Sequence, residues 1–199
     1  MPSDDEFMRA TWRALCVHGY ADLTMQDIAD ESEKSKAALH YHYGGKQDLL
    51  ESFLDHVAER FLSRLRDADA AAGPNPDERL GAVVDAAFSP PESDELESTQ
   101  RALVELKAQA PHQPPFRERI QETDAAFREL LVDIVTAGVE TGDFQSDVDP
   151  GETAQFVVNA LAGAQLRQVS VGEEPTTARR MVEQHLERHV HTDGGASGE

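Results

Sequence analysis

Apolar residues recur along this chain at intervals of three and four positions, the spacing that places them on one face of an α-helix. The stretch after Lys46 shows this spacing clearly, with Leu50, Phe53, Val57, Phe61 and Leu65 on one face. Strand-type alternation of apolar and polar residues is nearly absent. The pattern therefore predicts an all-α fold of about nine helices.

Capping residues and helix breakers set the expected helix boundaries. Thr24 begins the second helix, and Asp27 stands at the position that completes a capping box. Gly19 is expected to end the first helix as a left-handed cap. The other predicted helices run from Ser35 to about His42, from Lys46, from Asn75 to about Phe88, from about Asp94 to Ala110, from Phe116 to about Glu140, from Asp149 and from about Pro175.

The two short helices between Leu23 and Leu50 fit a helix-turn-helix, in which one helix enters the major groove of DNA while its partner braces across the backbone. Ile28, Ala29 and Leu39 are the apolar positions expected to hold the two helices together. Small residues at Ala37 and Ala38 permit a close approach to base edges. The outward face of the second helix carries Lys36, Ala37, His40 and Tyr41.

This stretch resembles the DNA-binding domain of the TetR/AcrR family of transcriptional regulators. The matching residues are Gly19-Tyr20, Thr24, Asp27-Ile28-Ala29, Ser35, Leu39-His40-Tyr41-His42-Tyr43 and Lys46-Gln47-Asp48-Leu49-Leu50. The resemblance in motif covers about residues 7–54, and the rest of the chain matches in length and helix pattern. It implies a three-helix helix-turn-helix domain, a fourth linking helix and a larger helical body.

The resemblance also assigns roles to individual residues on double-stranded operator DNA. Phosphate contacts fall to Thr24, His40, His42 and Lys46, with Ser35 as a helix cap and further phosphate donor. Base-reading positions fall to Lys36, Ala37, Ala38 and Tyr41. Hydroxyls at helix N-termini and a lysine ammonium suit phosphate on physical grounds as well.

In regulators of this type the body binds a small-molecule effector, and the last two helices pair with those of a second copy. Small residues at Ala160, Gly163 and Ala164 fit such a homodimer interface, although the same pattern also fits an internal core helix. The effector is unknown. Candidate polar residues for a pocket are Gln100, Asn159 and Gln165, whose alternative role is hydrogen bonding in the core or interface.

The expected domains follow from the helix pattern, the small-residue stretch Ala70 to Asn75 and the resemblance. They are a helix-turn-helix DNA-binding domain at 1–45, a linking helix at 46–70, an effector-binding and dimerisation domain at 71–191 and a disordered tail at 192–199.

Charge complicates this interpretation. The chain carries 38 acidic and 18 basic residues, which give a net charge of −20. That charge by itself argues against a protein that binds nucleic acid. Residues 1–46 hold eight acidic and five basic residues, so most of the excess lies elsewhere. Lysine is scarce and Asp, Glu and Ala are abundant, a composition that resembles proteins of salt-in halophiles; an ordinary acidic protein is the alternative.

A helical protein-interaction module with a vestigial helix-turn-helix is the alternative function. It rests on the net charge and on Glu33 and Lys34, which replace the usual turn Gly and Val of the family. Specific DNA binding discriminates between the two.

Other chemistry receives little support from the sequence. His185 and His189 lie four apart on the last helix, but no third ligand stands at a recognisable spacing, so we expect no metal and no cofactor. No catalytic motif is present, and we expect no enzyme activity. The single cysteine, Cys16, excludes an intrachain disulfide, and the sequence lacks an apolar run of membrane-spanning length. We expect a soluble cytoplasmic protein that does not associate with membranes.

Overall fold

A computed structural model describes residues 2–32, 35–89 and 96–191 of the chain. Within those residues the chain forms nine α-helices and no strand, as predicted. The helices are α1 (Pro2–Asp22), α2 (Met25–Asp30), α3 (Lys36–His42), α4 (Lys46–Ala71), α5 (Pro76–Phe88), α6 (Leu96–Gln109), α7 (Pro114–Thr141), α8 (Pro150–Val171) and α9 (Pro175–His189). Glu33, Lys34, Asp94 and the tail 192–199 lie outside the described residues. None of the described helices is long and apolar enough to cross a membrane.

Side-chain caps begin four of these helices where the sequence predicts them. Thr24 accepts hydrogen bonds from the backbone of α2 while Asp27 accepts from the Thr24 backbone, which completes the capping box. The side chains of Ser35, Asn75 and Asp149 likewise accept hydrogen bonds from backbone amides in the first turns of α3, α5 and α8. Short-range hydrogen bonds of this kind depend on neighbouring residues alone, which is why the sequence predicts them.

Two predicted boundaries differ in the structure. Gly19 has φ 68° and ψ 170°, so its backbone is extended rather than left-handed helical, and a further helical turn follows it to Asp22. The Gly19 carbonyl accepts from the Leu23 amide at 3.2 Å within that turn. The helix predicted from Phe116 begins two residues earlier, because Pro114 and Pro115 lie in the first turn of α7, where a missing amide proton costs no helical hydrogen bond.

The described residues form two compact units. The first comprises Met1–Arg60 and Pro91–Glu122, and the second comprises Phe61–Pro90 and Thr123–Glu199. In the first unit α1, α2, α3, α6 and the starts of α4 and α7 surround a core that includes Phe7, Leu15, Ile28, Leu39, Leu49, Phe53, Leu106 and Phe116. α6 therefore packs with the N-terminal helices. In the sequence it lies within residues 71–191, the range predicted for the effector-binding and dimerisation domain.

The second unit has its own core of aliphatic and aromatic side chains from α5, α7, α8, α9 and the segment after α7, which includes Leu80, Val84, Phe127, Leu131, Ile134, Phe144, Val157, Leu161, Val182 and Leu186. The segment after α7 meets the residues that follow α9, since the Gln145 amide donates to the Val190 carbonyl at 2.8 Å. The Phe144 ring stacks on the His191 ring at a centroid distance of 5.3 Å. These contacts fasten the end of α9 to the turn that follows α7.

Candidate nucleic-acid interface

The helix pair α2 and α3 is held together by the residues that the sequence singled out. Ile28, Ala29 and Leu39 are all buried in the core of the first unit. Arg13 of α1 donates through Nε to the Glu31 carboxylate at 3.1 Å and through Nη2 to the Glu31 carbonyl at 2.5 Å. Because Glu31 caps the C-terminal end of α2, this pair ties α2 to α1.

One face of α3 is open to solvent. Tyr41 is 87% exposed, and Lys36, Ala37 and His40 are exposed beside it. Ala38 differs, because its side chain is half-buried and packs against the core of the first unit. An exposed aromatic ring, a lysine and a methyl group on one helical face offer hydrogen bonds and apolar contact to base edges.

His42 lies at the C-terminal end of α3 among aromatic rings. Its ring centroid is 5.5 Å from that of Phe7 and 5.4 Å from that of Tyr41, yet the side chain remains exposed. The Tyr43 ring meets Phe7 edge-on at 6.0 Å. These contacts hold His42 beside the exposed face of α3 while leaving its surface accessible.

The hydroxyl groups of Thr24 and Ser35 are used differently. Thr24 donates its hydroxyl to Asp27 Oδ2 at 2.7 Å, and this hydrogen bond lowers the pKa of the Asp27 carboxyl. A phosphate at Thr24 therefore competes with Asp27 for a single proton. Ser35 Oγ accepts from the Ala38 amide at 3.3 Å, and this cap does not consume the Ser35 hydroxyl proton.

Tyr20 holds the Lys46 side chain, a contact that the sequence did not predict. Its Nζ donates to the Tyr20 carbonyl at 2.7 Å and lies 4.9 Å from the centroid of the Tyr20 ring. Partial burial lowers the pKa of the Lys46 ammonium, an effect that the charges of Asp22 and Asp27 oppose. The ammonium is therefore fixed at the start of α4 rather than free in solvent.

The three candidate polar residues of the body differ in exposure. Asn159 is exposed in the single chain and accepts a hydrogen bond from Gln155 at 3.0 Å. Gln100 and Gln165 are half-buried. A hollow of about 200 Å³ is lined by Glu51, Leu54, Asp55, Pro115, Phe116, Glu118, Arg119 and Glu122, and includes none of these three candidates.

His185 and His189 are neighbours on α9, with ring centroids 4.8 Å apart. The Phe156 ring of α8 lies 4.3 Å from His185, and burial together with His189 lowers the pKa of His185. Throughout the part of the chain that the structure describes, no group of three or more His, Cys, Asp or Glu side chains is placed to hold a metal ion.

Comparison with known families matches most of the chain. Residues 7–53 match the model of bacterial regulatory proteins of the tetR family. Residues 76–191, more than half of the chain, match the C-terminal domain of BetI-type transcriptional repressors.

Individual relatives agree with these matches. The transcriptional repressor KstR2 of Mycobacterium tuberculosis is 27% identical over 169 residues, which are 84% of this chain and 81% of KstR2. A TetR transcription regulator from Haloarcula marismortui is 36% identical, with a TM-score of 0.86 over 96% of this chain and 99% of that one. A transcriptional regulator from Saccharomonospora viridis in complex with choline shares the fold, with 20% identity and a TM-score of 0.83 over 96% and 98% of the two chains.

The open face of α3 and the buried contacts that brace it on α2 fit a helix-turn-helix that binds DNA. The two family matches point to the same function. The relatives are transcriptional regulators rather than enzymes. This chain belongs to the TetR family and is a DNA-binding transcriptional regulator.

Proposed function

We propose that α3 reads the operator through Lys36, Ala37, Ala38 and Tyr41. The observation that carries this proposal is the 87% exposure of Tyr41 on a helix whose opposite face is buried at Leu39. This open ring stands beside the exposed Lys36 and Ala37, so one helical face offers a hydroxyl, an ammonium and apolar surface to base edges. Ala38 is half-buried, so its contribution is a small surface that permits close approach.

Phosphate contacts are proposed for Thr24, Ser35, His40, His42 and Lys46. Lys46 has N–H donors beyond the one that it gives to Tyr20, and Ser35 retains a hydroxyl proton to donate. His40 and His42 are exposed beside α3. Thr24 is the weakest of the five because its hydroxyl already serves Asp27. These contacts would orient the protein on DNA without reading its sequence.

Selection of duplexes from a random pool in concentrated KCl tests this function. The wild-type chain is expected to enrich a palindrome, since a two-fold symmetric dimer reads two half-sites. A double variant, Lys36→Ala with Tyr41→Ala, is the control and is expected to enrich no shared sequence while it keeps its circular dichroism spectrum. Failure of the wild-type chain to enrich any sequence would contradict the proposal.

We propose further that the regulator is a homodimer through α8 and α9. Exposed apolar side chains on these helices support this, since Met181 is 63%, Leu166 53% and Phe156 37% exposed. Gly163 has open space where a side chain would stand, which permits close approach of a second helix. Several exposed apolar side chains on two neighbouring helices are what a subunit interface would cover.

The functional division of the chain is proposed as residues 1–45 for DNA binding, 46–70 for linkage and 71–191 for effector binding and dimerisation. The match of residues 76–191 to BetI-type repressors supports a ligand-responsive body. We propose that a small-molecule effector modulates or releases a repressor bound to DNA. Choline, present in the complex of the Saccharomonospora viridis regulator, is a first probe, and a choline-dependent rise in Tm with weaker DNA binding would support an effector of its class.

The composition supports a cytoplasm rich in KCl as the working environment. The net charge is −20, and a 36% identical relative comes from Haloarcula marismortui. Near molar salt the Debye length is about 3 Å, so counterion release supplies little affinity and base contacts and shape supply most of it. We expect operator affinity to fall less steeply with KCl than the number of phosphate contacts suggests. A steep, continuous loss of binding while the protein stays folded would contradict this.

A further inference from the structure

A carboxylate from α6 lies at the break in α1. Glu105 Oε2 accepts a hydrogen bond from the Tyr20 backbone amide at 2.8 Å. The break itself occurs at Gly19, whose positive φ interrupts the helix. Where a helix is interrupted, backbone amides lose their regular helical acceptors, and an outside acceptor restores the hydrogen bond. Glu105 supplies that acceptor from 85 residues further along the chain.

The fit between Glu105 and the break is close. A β-carbon at position 19 would stand only 3.0 Å from Glu105 Oε2, so a side chain there would press on the carboxylate. Gly19 thus permits both the positive φ and the approach of Glu105. The Tyr20 ring is supported separately, because it meets the Phe116 ring edge-on at 6.4 Å.

Tyr20 in turn holds Lys46. The Tyr20 carbonyl accepts from Lys46 Nζ at 2.7 Å, and the ring lies below the ammonium at 4.9 Å. Glu105 therefore engages the amide of a residue whose carbonyl and ring engage Lys46. Glu105, Tyr20 and Lys46 form a continuous series of contacts from α6 to the first residue of α4, all within one compact unit.

We propose that Glu105 is a positioning residue for operator binding, which fixes Tyr20 so that Tyr20 presents the Lys46 ammonium to a DNA phosphate. The inference rests on the proposed phosphate contact of Lys46. A lysine ammonium has three N–H donors, so the hydrogen bond to Tyr20 leaves donors for a phosphate oxygen. A lysine held in advance loses less side-chain freedom on binding than a free one, which raises affinity.

The sign of the effect separates this proposal from simple electrostatics. Replacing a carboxylate by a neutral group removes a negative charge, which by itself favours binding to DNA. The positioning role predicts the opposite for Glu105→Ala, because Tyr20 and Lys46 lose their support. Glu105→Gln keeps an oxygen acceptor for the Tyr20 amide, and Glu105→Asp keeps the charge but shortens the reach.

The test is a double-mutant cycle between Glu105 and Lys46, measured by fluorescence anisotropy on the duplex that the wild-type chain selects. Glu105→Ala and Glu105→Asp are each expected to weaken binding about three- to tenfold. They should also make the slope of log affinity against log KCl shallower by up to about 0.9, the loss of one phosphate contact. Glu105→Gln should bind at least as tightly as the wild-type chain. In a Lys46→Met background, Glu105→Ala should produce no further loss.

Glu59→Ala is the matched control, since Glu59 is an exposed acidic residue of α4 in the same unit. It removes one negative charge and is expected to leave affinity unchanged or slightly raised. Circular dichroism at the assay temperature establishes folding, and Glu105→Asp carries the test if Glu105→Ala does not fold. An equal loss on Glu105→Ala or Glu105→Asp in the wild-type and Lys46→Met backgrounds would overturn the inference, as would weakening by Glu105→Gln. Absence of a selected duplex contradicts the proposed function instead, which distinguishes the two failures.

Discussion

The Phe144 ring lies directly against the backbone of Gly138. A β-carbon at position 138 would stand 2.7 Å from Phe144 Cγ and closer still to two other ring atoms. The Phe144 amide also donates to the Gly138 carbonyl at 3.0 Å. Gly138 lies inside α7, where glycine is otherwise unfavourable, so its presence is explained by the ring that it admits.

Gly138→Ala is therefore expected to destabilise the protein, because the fully buried Phe144 ring must move. Overpacking of this kind costs about 1–3 kcal/mol in the free energy of unfolding, measured by urea titration. Gly81→Ala is the control: this helix position has no atom within 4 Å of the added carbon. It should raise stability by about 0.5–1 kcal/mol. Equal effects of the two substitutions would contradict this account.

Thr11 presents a different packing problem. Its side chain is fully buried in α1, and Oγ1 has no hydrogen-bond partner among the described residues. Burying an unpaired hydroxyl is unfavourable, so Thr11→Val is expected to stabilise the protein by about 1 kcal/mol in thermal or urea unfolding. Thr11→Ala removes the methyl group as well and leaves a void, and it should be less stable than Thr11→Val. A loss of stability in Thr11→Val would show that the hydroxyl is satisfied.

The capping box of α2 predicts a pH dependence. Hydrogen bonds from the Thr24 hydroxyl and amide lower the pKa of Asp27 in the folded state. The stability that this carboxylate contributes is present above the unfolded pKa and is lost as the pH falls through the lower folded pKa. The wild-type chain should be more stable than Asp27→Asn at pH 7, by about 3 °C in Tm, and the difference should shrink in acid. A difference that stays constant from pH 7 to pH 3 would refute this role.

The proposed dimer interface predicts the effect of a charge on α9. Met181→Glu is expected to raise the dissociation constant of the dimer about tenfold or more, because each copy would bury a carboxylate in the proposed interface. Sedimentation velocity over a range of protein concentrations measures this. Val17→Glu is the control, since Val17 is equally exposed but lies in the first unit. If Val17→Glu alone dissociated the dimer, the interface would lie elsewhere.

The features of this molecule that the sequence predicts are those set by residues close together in the chain. The caps at Thr24 and Asn75 involve residues two or three positions apart, so the pattern states them directly. The buried faces of α2 and α3 follow from helical periodicity in the same way. The predicted start of α7 at Phe116 is two residues late, because a proline such as Pro114 fits equally well after one helix and in the first turn of the next.

Long-range contacts could not be predicted in this way. Nothing in the local sequence connects Glu105 with Tyr20 or Tyr20 with Lys46, since the partners meet only after the helices pack. The predicted DNA contacts themselves stay predictions, although the structure places Lys36, Ala37, His40 and Tyr41 on one open surface.

The central claim is that α3 reads base sequence and that net charge does not supply the specificity. The most direct measurement is the affinity of the wild-type chain and of Tyr41→Ala for the selected duplex and for a shuffled duplex of equal composition, in the same concentrated KCl. Tyr41→Ala should lower the ratio of the two affinities about tenfold while the binding of shuffled DNA and the Tm stay unchanged. An unchanged ratio, with equal losses on both duplexes, would contradict the claim.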